Sequence, residues 1–308
     1  MIKKAIIARH YGFCMGVKRA INIAEETARD SDEQVTILNE IVHNDAVVKD
    51  FREKGVGQKF AVDDVETGTL IISAHGVSPD VIERATNKGL KVVDATCPLV
   101  TRIYDIIAKA VGQDYYIIHL GDRNHDETTG VHGHAPDRIT VISNKEELDQ
   151  YPDWTDRKLG LTVQTTMGLE DFVEFQEAAQ KKWPHIEVFE TICNATNKRQ
   201  TSIMDLAPEV DMILVVGSTT SANSGRLANI ARLLCGRAEL INSAFDIKAE
   251  WFEGDGDAVE TVGVSAGAST PDFLVQDVIR RLVKISGGTA EVVRQEKKKK
   301  ARTAKIAG

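Results

Sequence analysis

The chain has 308 residues, 42% hydrophobic and 27% charged, which excludes an intrinsically disordered or collagen-like polymer. Lys and Arg number 38 against 46 Asp and Glu, and the net charge of -8 argues against a general nucleic-acid binder. No apolar run approaches the ~20 residues of a membrane-spanning helix, and the apolar stretch in MIKKAIIARH is too short for a signal peptide, so a cytoplasmic protein is expected.

In chain order, KKAIIA reads as a strand and is followed by a helix from about Gly16 to Arg29, where Val17, Ala20, Ile21 and Ala24 recur at helical spacing. The runs VTIL, TLIISA, KVVDA, YYIIHL, ITVIS, LGLTV, IEVFE, MILVVG, AELIN and TVGVSA read as further strands. Between many of them lie helical patterns such as PLVTRIYDIIAKAV, LEDFVEFQEAAQKKW and PDFLVQDVIRRLVKI. Strands alternating with helices imply an α/β fold whose parallel sheets are covered on both faces. There are too many strands for one compact open sheet, which favours several small α/β modules. The expected division is residues 1–96, 97–192 and 193–286, then a C-terminal strand and tail over 287–308. That tail carries Arg294, Lys297, Lys298, Lys299, Lys300, Arg302 and Lys305 and reads as a solvated, disordered end. If it binds anything, RNA or an anionic membrane surface fits its charge.

The four cysteines form neither a dense disulfide framework nor a CxxC zinc pattern. Cys14, Cys97 and Cys193 each sit where a strand ends and a helix begins, at comparable separations, which looks like three repeats of one module. Open α/β sheets bind ligands beyond the carboxyl ends of their strands, so three such modules could deliver three thiols to one centre. A helix N-terminus favours thiolate over thiol. Cys235 borders the apolar stripe of SGRLANIARLLCG and reads as core packing. His43, His75, His125, Glu127, Gln164, Thr165, Ser221, Asn223 and Ser269 fall at the same topological level, so one site assembled from many loops is expected. The serine and glycine loops suit an anion, and without GxxxxGK[ST] or a GxGxxG after the first strand a nucleotide cofactor is not indicated.

The ordered strings GFCMGV, EIVHN, SAHGVS, DATCPLV, VQTT, ICNAT with RQ, VVGS followed by SANS, and GAS with PD resemble the LytB-type 4-hydroxy-3-methylbut-2-enyl diphosphate reductases. The match runs from about Gly12 to Gln276. The resemblance implies three α/β modules with pseudo-threefold symmetry and a 4Fe-4S cluster held by Cys14, Cys97 and Cys193, one iron lacking a protein ligand. It implies Glu127 as proton donor with Thr165 orienting it, and His43, His75, Ser221, Asn223 and Ser269 on the diphosphate. His125 would lie near both diphosphate and reaction centre. Reductive dehydroxylation of the allylic diphosphate substrate to isopentenyl and dimethylallyl diphosphate is the implied activity, with ferredoxin or flavodoxin as electron donor. Two departures stand out. Asp126 replaces the family's usual proline between His and Glu, which is expected to loosen the placement of Glu127 and, if the two carboxylates are close, to raise its pKa by like-charge repulsion. Ala222 stands where many members have a second serine, removing one hydroxyl from the diphosphate site. The competing expectation is a zinc hydrolase or structural zinc protein using the same three cysteines.

Overall fold

The computed structural model describes residues 1–252 and 258–296, so the lysine-rich tail and the readings attached to it lie outside the described residues. The strands are β1 (Lys4–Ile7), β2 (Val35–Leu38), β3 (Gly57–Lys59), β4 (Thr69–Ile72), β5 (Lys91–Asp94), β6 (Tyr115–Leu120), β7 (Ile139–Ile142), β8 (Lys158–Val163), β9 (Glu187–Val188), β10 (Met212–Val216), β11 (Ala238–Ile241), β12 (Thr261–Ala266) and β13 (Glu291–Arg294). They form three sheets in the orders β3-β2-β4-β5, β7-β6-β8-β9 and β11-β10-β12-β1-β13, and every pairing is parallel. The expected α/β fold of three parallel-sheet modules is what the chain adopts.

Each sheet repeats one pattern: the second strand lies outside the first, then come the third and a fourth. In the third sheet the fourth place is held by β1 from the other end of the chain, which pairs with β12 through Ala5↔Val262 and Ile7↔Val264. The assignment of residues 1–96 to a single module therefore needs correcting, because β1 completes the third module. The pattern of apolar residues along a strand specifies burial but not which neighbour supplies the hydrogen bonds, so this closure was invisible in the sequence. The short, polar β3 (GQK) also carried no apolar signal.

Because the sheets are parallel, chain leaving each strand must cross a face to return, and helices do the crossing. After the first strand of each unit come α2 (Asp45–Glu53), α5 (Asp126–Gly133) and α8 (Ala222–Cys235). After the third come α3 (Pro79–Asn87), α6 (Leu169–Lys182) and α9 (Asp272–Ile285). After the fourth come α1 (Met15–Asp30), α4 (Pro98–Val111) and α7 (Asn194–Leu206), capped by Cys14, Cys97 and Cys193. Covering both faces buries the inner strands without interruption, as the fully buried VTIL, TLII and MILVV show. Each sheet consequently separates two apolar clusters, for example Leu214, Val264 and Val278 on one face of the third sheet and Ile213, Val215 and Leu227 on the other. Among the described residues no helix is long and apolar enough to cross a membrane.

Ala5 is fully buried in the middle of the third sheet. Ala5→Asp would place an unpaired carboxylate there, and the expected loss is on the order of 3–5 kcal/mol. Amide exchange should accelerate in β12 and β10 while β2 and β4 keep their protection; equal loss in all three sheets would contradict the modular reading of β1.

Candidate functional site

The ends of the equivalent strands face one another. The N–H of Cys97 donates to the carbonyl of Ala74 at 3.0 Å, that of Cys193 to Thr165 at 3.1 Å, and that of Cys14 to Ala268 at 3.1 Å. Each acceptor lies just beyond the third strand of its unit, so one hydrogen bond, made three times, ties each cysteine to the loop that carries a second site residue. Those loops bear His75, Thr165 and Ser269, while the loops after the first strands bear His43, His125 and Ser221. In a sheet of this strand order, the first and third strands flank the switch point at which ligands bind.

Eleven of the twelve residues expected at the site from the sequence, Cys14, His43, His75, Cys97, His125, Glu127, Thr165, Cys193, Ser221, Asn223 and Ser269, line a single cavity of about 100 Å³. The twelfth, Gln164, does not line it; its side-chain oxygen accepts from the Asp122 N–H at 2.9 Å. At one end the Sγ atoms of Cys14 and Cys193 accept from the N–H groups of Val17 at 3.4 Å and Ala195 at 3.3 Å. Burial and the neighbouring Cys14 and Cys193 push the Cys97 thiol upward, although N–H groups of Leu99 and Val100 oppose the shift. Gly16 explains how two thiols come together, since a Cβ there would collide with Sγ of Cys97 and stand 4.0 Å from that of Cys14. All four cysteines are free thiols. Cys235 ends α8, about 20 Å along the helix axis from the cavity-lining residues of its first turn, and packs against the cluster holding Leu227 and Ala231.

The spacing of the sulfurs bears on what they could hold. Four-coordinate zinc with Zn–S bonds of 2.3 Å sets thiolates about 3.8 Å apart. Among the described residues, the one group of three or more potential ligand atoms lying within 4.8 Å of one another is His43, His75 and Asp126, and the cysteine trio is not such a group. Three N-cap thiols sharing one cavity at wider spacing would suit a group larger than a single ion.

Glu127 closes the middle of the cavity. Its carboxylate accepts from the N–H of Thr165 at 2.6 Å and from the Thr165 hydroxyl at 2.7 Å, and the residue is 2% exposed. Burial outweighs both hydrogen bonds and pushes its pKa up to about 7. The expected effects of Asp126 are corrected here. Asp126 turns toward His75 (3.9 Å) and a hydrogen bond with Asn39, and it contributes nothing to the Glu127 shift. Nor is Glu127 loosened, since Thr165 grips both carboxylate oxygens and the Glu127 N–H donates to Nδ1 of His125 at 3.1 Å.

The far end is an imidazole cluster. The rings of His43 and His75 stack at 4.1 Å, and His125 meets them edge-on at 5.3 and 5.5 Å. Burial and mutual repulsion hold His75 well below its ordinary pKa and His125 down to about 4, so neutral rings present N–H donors. Asn223 is 4% exposed and neither its Oδ1 nor its Nδ2 has a partner in the protein, so it points to a polar ligand. Ser221 spends its acceptor capacity on the Ser224 N–H as helix cap. Ser269 differs from expectation, because its hydroxyl donates to the His43 carbonyl at 2.8 Å and fixes that loop.

Three residues of consequence were not assigned roles from the sequence. Arg199, 5% exposed, donates to the carbonyls of Ala195 and Gly12 and so ties two cysteine loops together. Gln200 accepts from the Leu169 N–H and donates to Met167, anchoring the loop after β8. Arg226 adds a positive field at His125. The signal was present in α7, whose buried stripe is polar (Thr196, Arg199, Gln200, Ser202) where packing alone would call for apolar residues.

The raised pKa of Glu127 makes stability depend on pH. Unfolded, the carboxyl ionises near 4.5; folded, it keeps its proton up to about 7. Between those values only the unfolded chain releases the proton, so this group's contribution to stability falls as pH rises through that window and then levels. Glu127→Gln removes the effect, and its stability relative to wild type is expected to improve by on the order of 3 kcal/mol from pH 4 to pH 8. Parallel urea midpoints at both pH values would contradict the desolvated carboxyl.

Comparison with known proteins agrees in extent. Residues 5–283 match the family model described as LytB protein. The chain is 38% identical over 303 residues to 4-hydroxy-3-methylbut-2-enyl diphosphate reductase of Methylibium petroleiphilum, covering 95% of this chain and 91% of the relative. It superposes on E-1-hydroxy-2-methyl-but-2-enyl-4-diphosphate reductase from Plasmodium falciparum with a TM-score of 0.89 at 29% identity, covering 98% of this chain and 95% of that one. A second solved structure, of (E)-4-hydroxy-3-methyl-but-2-enyl diphosphate reductase, the terminal enzyme of the non-mevalonate pathway, gives a TM-score of 0.66 at 36% identity, over 92% of this chain and 100% of that one.

Proposed function

The chain belongs to the LytB protein family, and from that premise we propose that it is an oxidoreductase converting 4-hydroxy-3-methylbut-2-enyl diphosphate to isopentenyl and dimethylallyl diphosphate, the last step of the non-mevalonate route to isoprenoids. The observation that carries this reading is the meeting of three helix-capping thiols and one buried, protonatable carboxyl in the same cavity. The reaction replaces an allylic hydroxyl by hydrogen, taking two electrons and two protons and releasing water. Cys14, Cys97 and Cys193 would hold a 4Fe-4S cluster, which when bound supplies single electrons and an iron without a protein ligand as Lewis acid for the hydroxyl oxygen. Ferredoxin or flavodoxin is the proposed donor of those electrons.

The chain's own residues account for the rest. The imidazoles of His75 and His125, held neutral by burial, offer N–H donors to the diphosphate, His43 stacks on His75 with its Nδ1 bonded to Glu40 at 2.9 Å, and the unpartnered amide of Asn223 completes its own hydrogen bonds on the same anion. Ala222 lacks the hydroxyl of many relatives but stands at the start of α8, where free N–H groups and the helix dipole suit an anion. Bringing a dianion beside His75 and His125, whose pKa values burial holds down, favours their protonated forms, so binding is expected to take up protons. At the opposite end, Glu127 holds a proton at neutral pH because the cavity excludes water, and Thr165 aims it. Asp126, lifted by burial, keeps its carboxyl off the path between Glu127 and the thiols.

The test is anaerobic turnover of 4-hydroxy-3-methylbut-2-enyl diphosphate by the cluster-loaded protein with reduced methyl viologen, comparing wild type with Glu127→Gln. Wild type should form both C5 diphosphates, with a rate that falls as pH rises through about 7. Glu127→Gln should be slower by on the order of a hundredfold or more while retaining substrate affinity. Near-normal turnover of the variant would show that another group delivers the proton, and a wild type without turnover would reject the activity.

A further inference from the structure

The three cysteines that end the substrate cavity also line a second, larger basin of about 690 Å³. None of the three clustered histidines, Glu127 or Thr165 reaches it. Its walls carry Arg9, Lys18, Lys198, Arg199 and Arg294 against the single acid Asp272. Arg9 is engaged by Asp205 at 3.1 Å, and Asp272 is engaged by the Tyr11 hydroxyl at 3.0 Å. Lys18 and Lys198 are exposed, and no ion-pair partner faces either of them among the described residues. Three helices, α1, α4 and α7, begin at this basin and add the positive ends of their dipoles to the same field. The cations surround an apolar floor: Met15, directly after Cys14, is 88% exposed, and Leu99, two residues after Cys97, is 37% exposed.

A basic concavity is unexpected on a chain whose net charge is -8. Overall, such a molecule repels acidic partners, so only a local patch of opposite sign can orient one. An apolar centre inside a charged rim is the anatomy of a protein interface rather than of a small-anion site. We propose that this basin is the docking face for a small acidic protein that carries one electron at a time, with Lys18 and Lys198 as the steering cations and Met15 and Leu99 as the apolar contact. The inference rests on the reductase reading above. Each turnover then needs two successive encounters, each oxidising one reduced carrier by one electron, while both protons and the departing water use the other cavity. Carrier and substrate do not compete for space, so the affinity for one is independent of the other.

The test compares Lys18→Glu/Lys198→Glu and Lys18→Gln/Lys198→Gln with Lys109→Glu, which changes the net charge by the same two units as the double Gln variant but at the far end of α4. A bacterial flavodoxin is the probe. Its binding to the cluster-loaded protein at low ionic strength is measured by calorimetry, and carbodiimide cross-links are mapped by peptide. Binding should weaken by about tenfold or more in the double Glu variant and less in the Gln variant, with a flatter salt dependence in both. Lys109→Glu should stay within about twofold of wild type, and wild-type cross-links should fall on Lys18 and Lys198. Turnover driven by flavodoxin should drop in parallel while turnover driven by methyl viologen holds. Unchanged flavodoxin binding in the double Glu variant, or cross-links confined to other lysines, would overturn the docking face. Loss of turnover with methyl viologen in wild type would instead overturn the reductase reading, and the binding comparison would still decide the docking face.

Discussion

One hydrogen bond, repeated in three modules, organises this molecule: the N–H of a helix-capping cysteine donating to a carbonyl just past the third strand of its sheet. The bond fixes where each thiol stands relative to a loop bearing His75, Thr165 or Ser269, and so couples whatever the sulfurs hold to the groups that meet the substrate. It needs a strand ending beside another strand in parallel, followed at once by a helix, which is the geometry a parallel α/β unit produces. Gly16 and Arg199 then set the modules against one another. The first lets one thiol approach the next cysteine, and the second bonds the loop ahead of Cys14 to the turn after Cys193.

That arrangement divides the centre into two compartments of opposite chemistry. On one side a cavity holds clustered imidazoles, an amide with no partner of its own and a buried carboxyl whose pKa burial raises to about 7. These are costly to bury, and they persist because a polar, anionic ligand completes them. On the other side an open basin is cationic and wet, with exposed methionine and leucine at its floor. Under the proposed reaction, such a separation would keep electron delivery away from proton delivery.

Much of this was legible in the sequence because the relevant signals are local. Runs such as MILVV, bounded by amphipathic stretches, specify doubly covered parallel strands, and a cysteine, histidine or serine directly after such a run must stand at the ligand-binding edge. What escaped was non-local. That β1 completes the third sheet depends on which strand edge is free, and no residue of KAII encodes that choice. The orientation of Asp126 depends on Asn39, from a different module. The diversion of the Ser269 hydroxyl to the His43 carbonyl likewise joins distant segments. Arg199 and Gln200 belong to the strings that carry the family resemblance, but their work of holding loops follows only from the depth at which α7 is buried.

The central claim is that three thiols meet on one polynuclear cluster and leave one of its irons without a protein ligand. Mössbauer spectroscopy of anaerobically purified protein tests it most directly. The account requires iron in a cuboidal cluster with its sites divided about three to one, since three irons have thiolate ligands and the fourth does not, and it requires Cys235→Ala to give the same spectrum. Four equivalent sites, or protein that retains zinc and no iron, would contradict it.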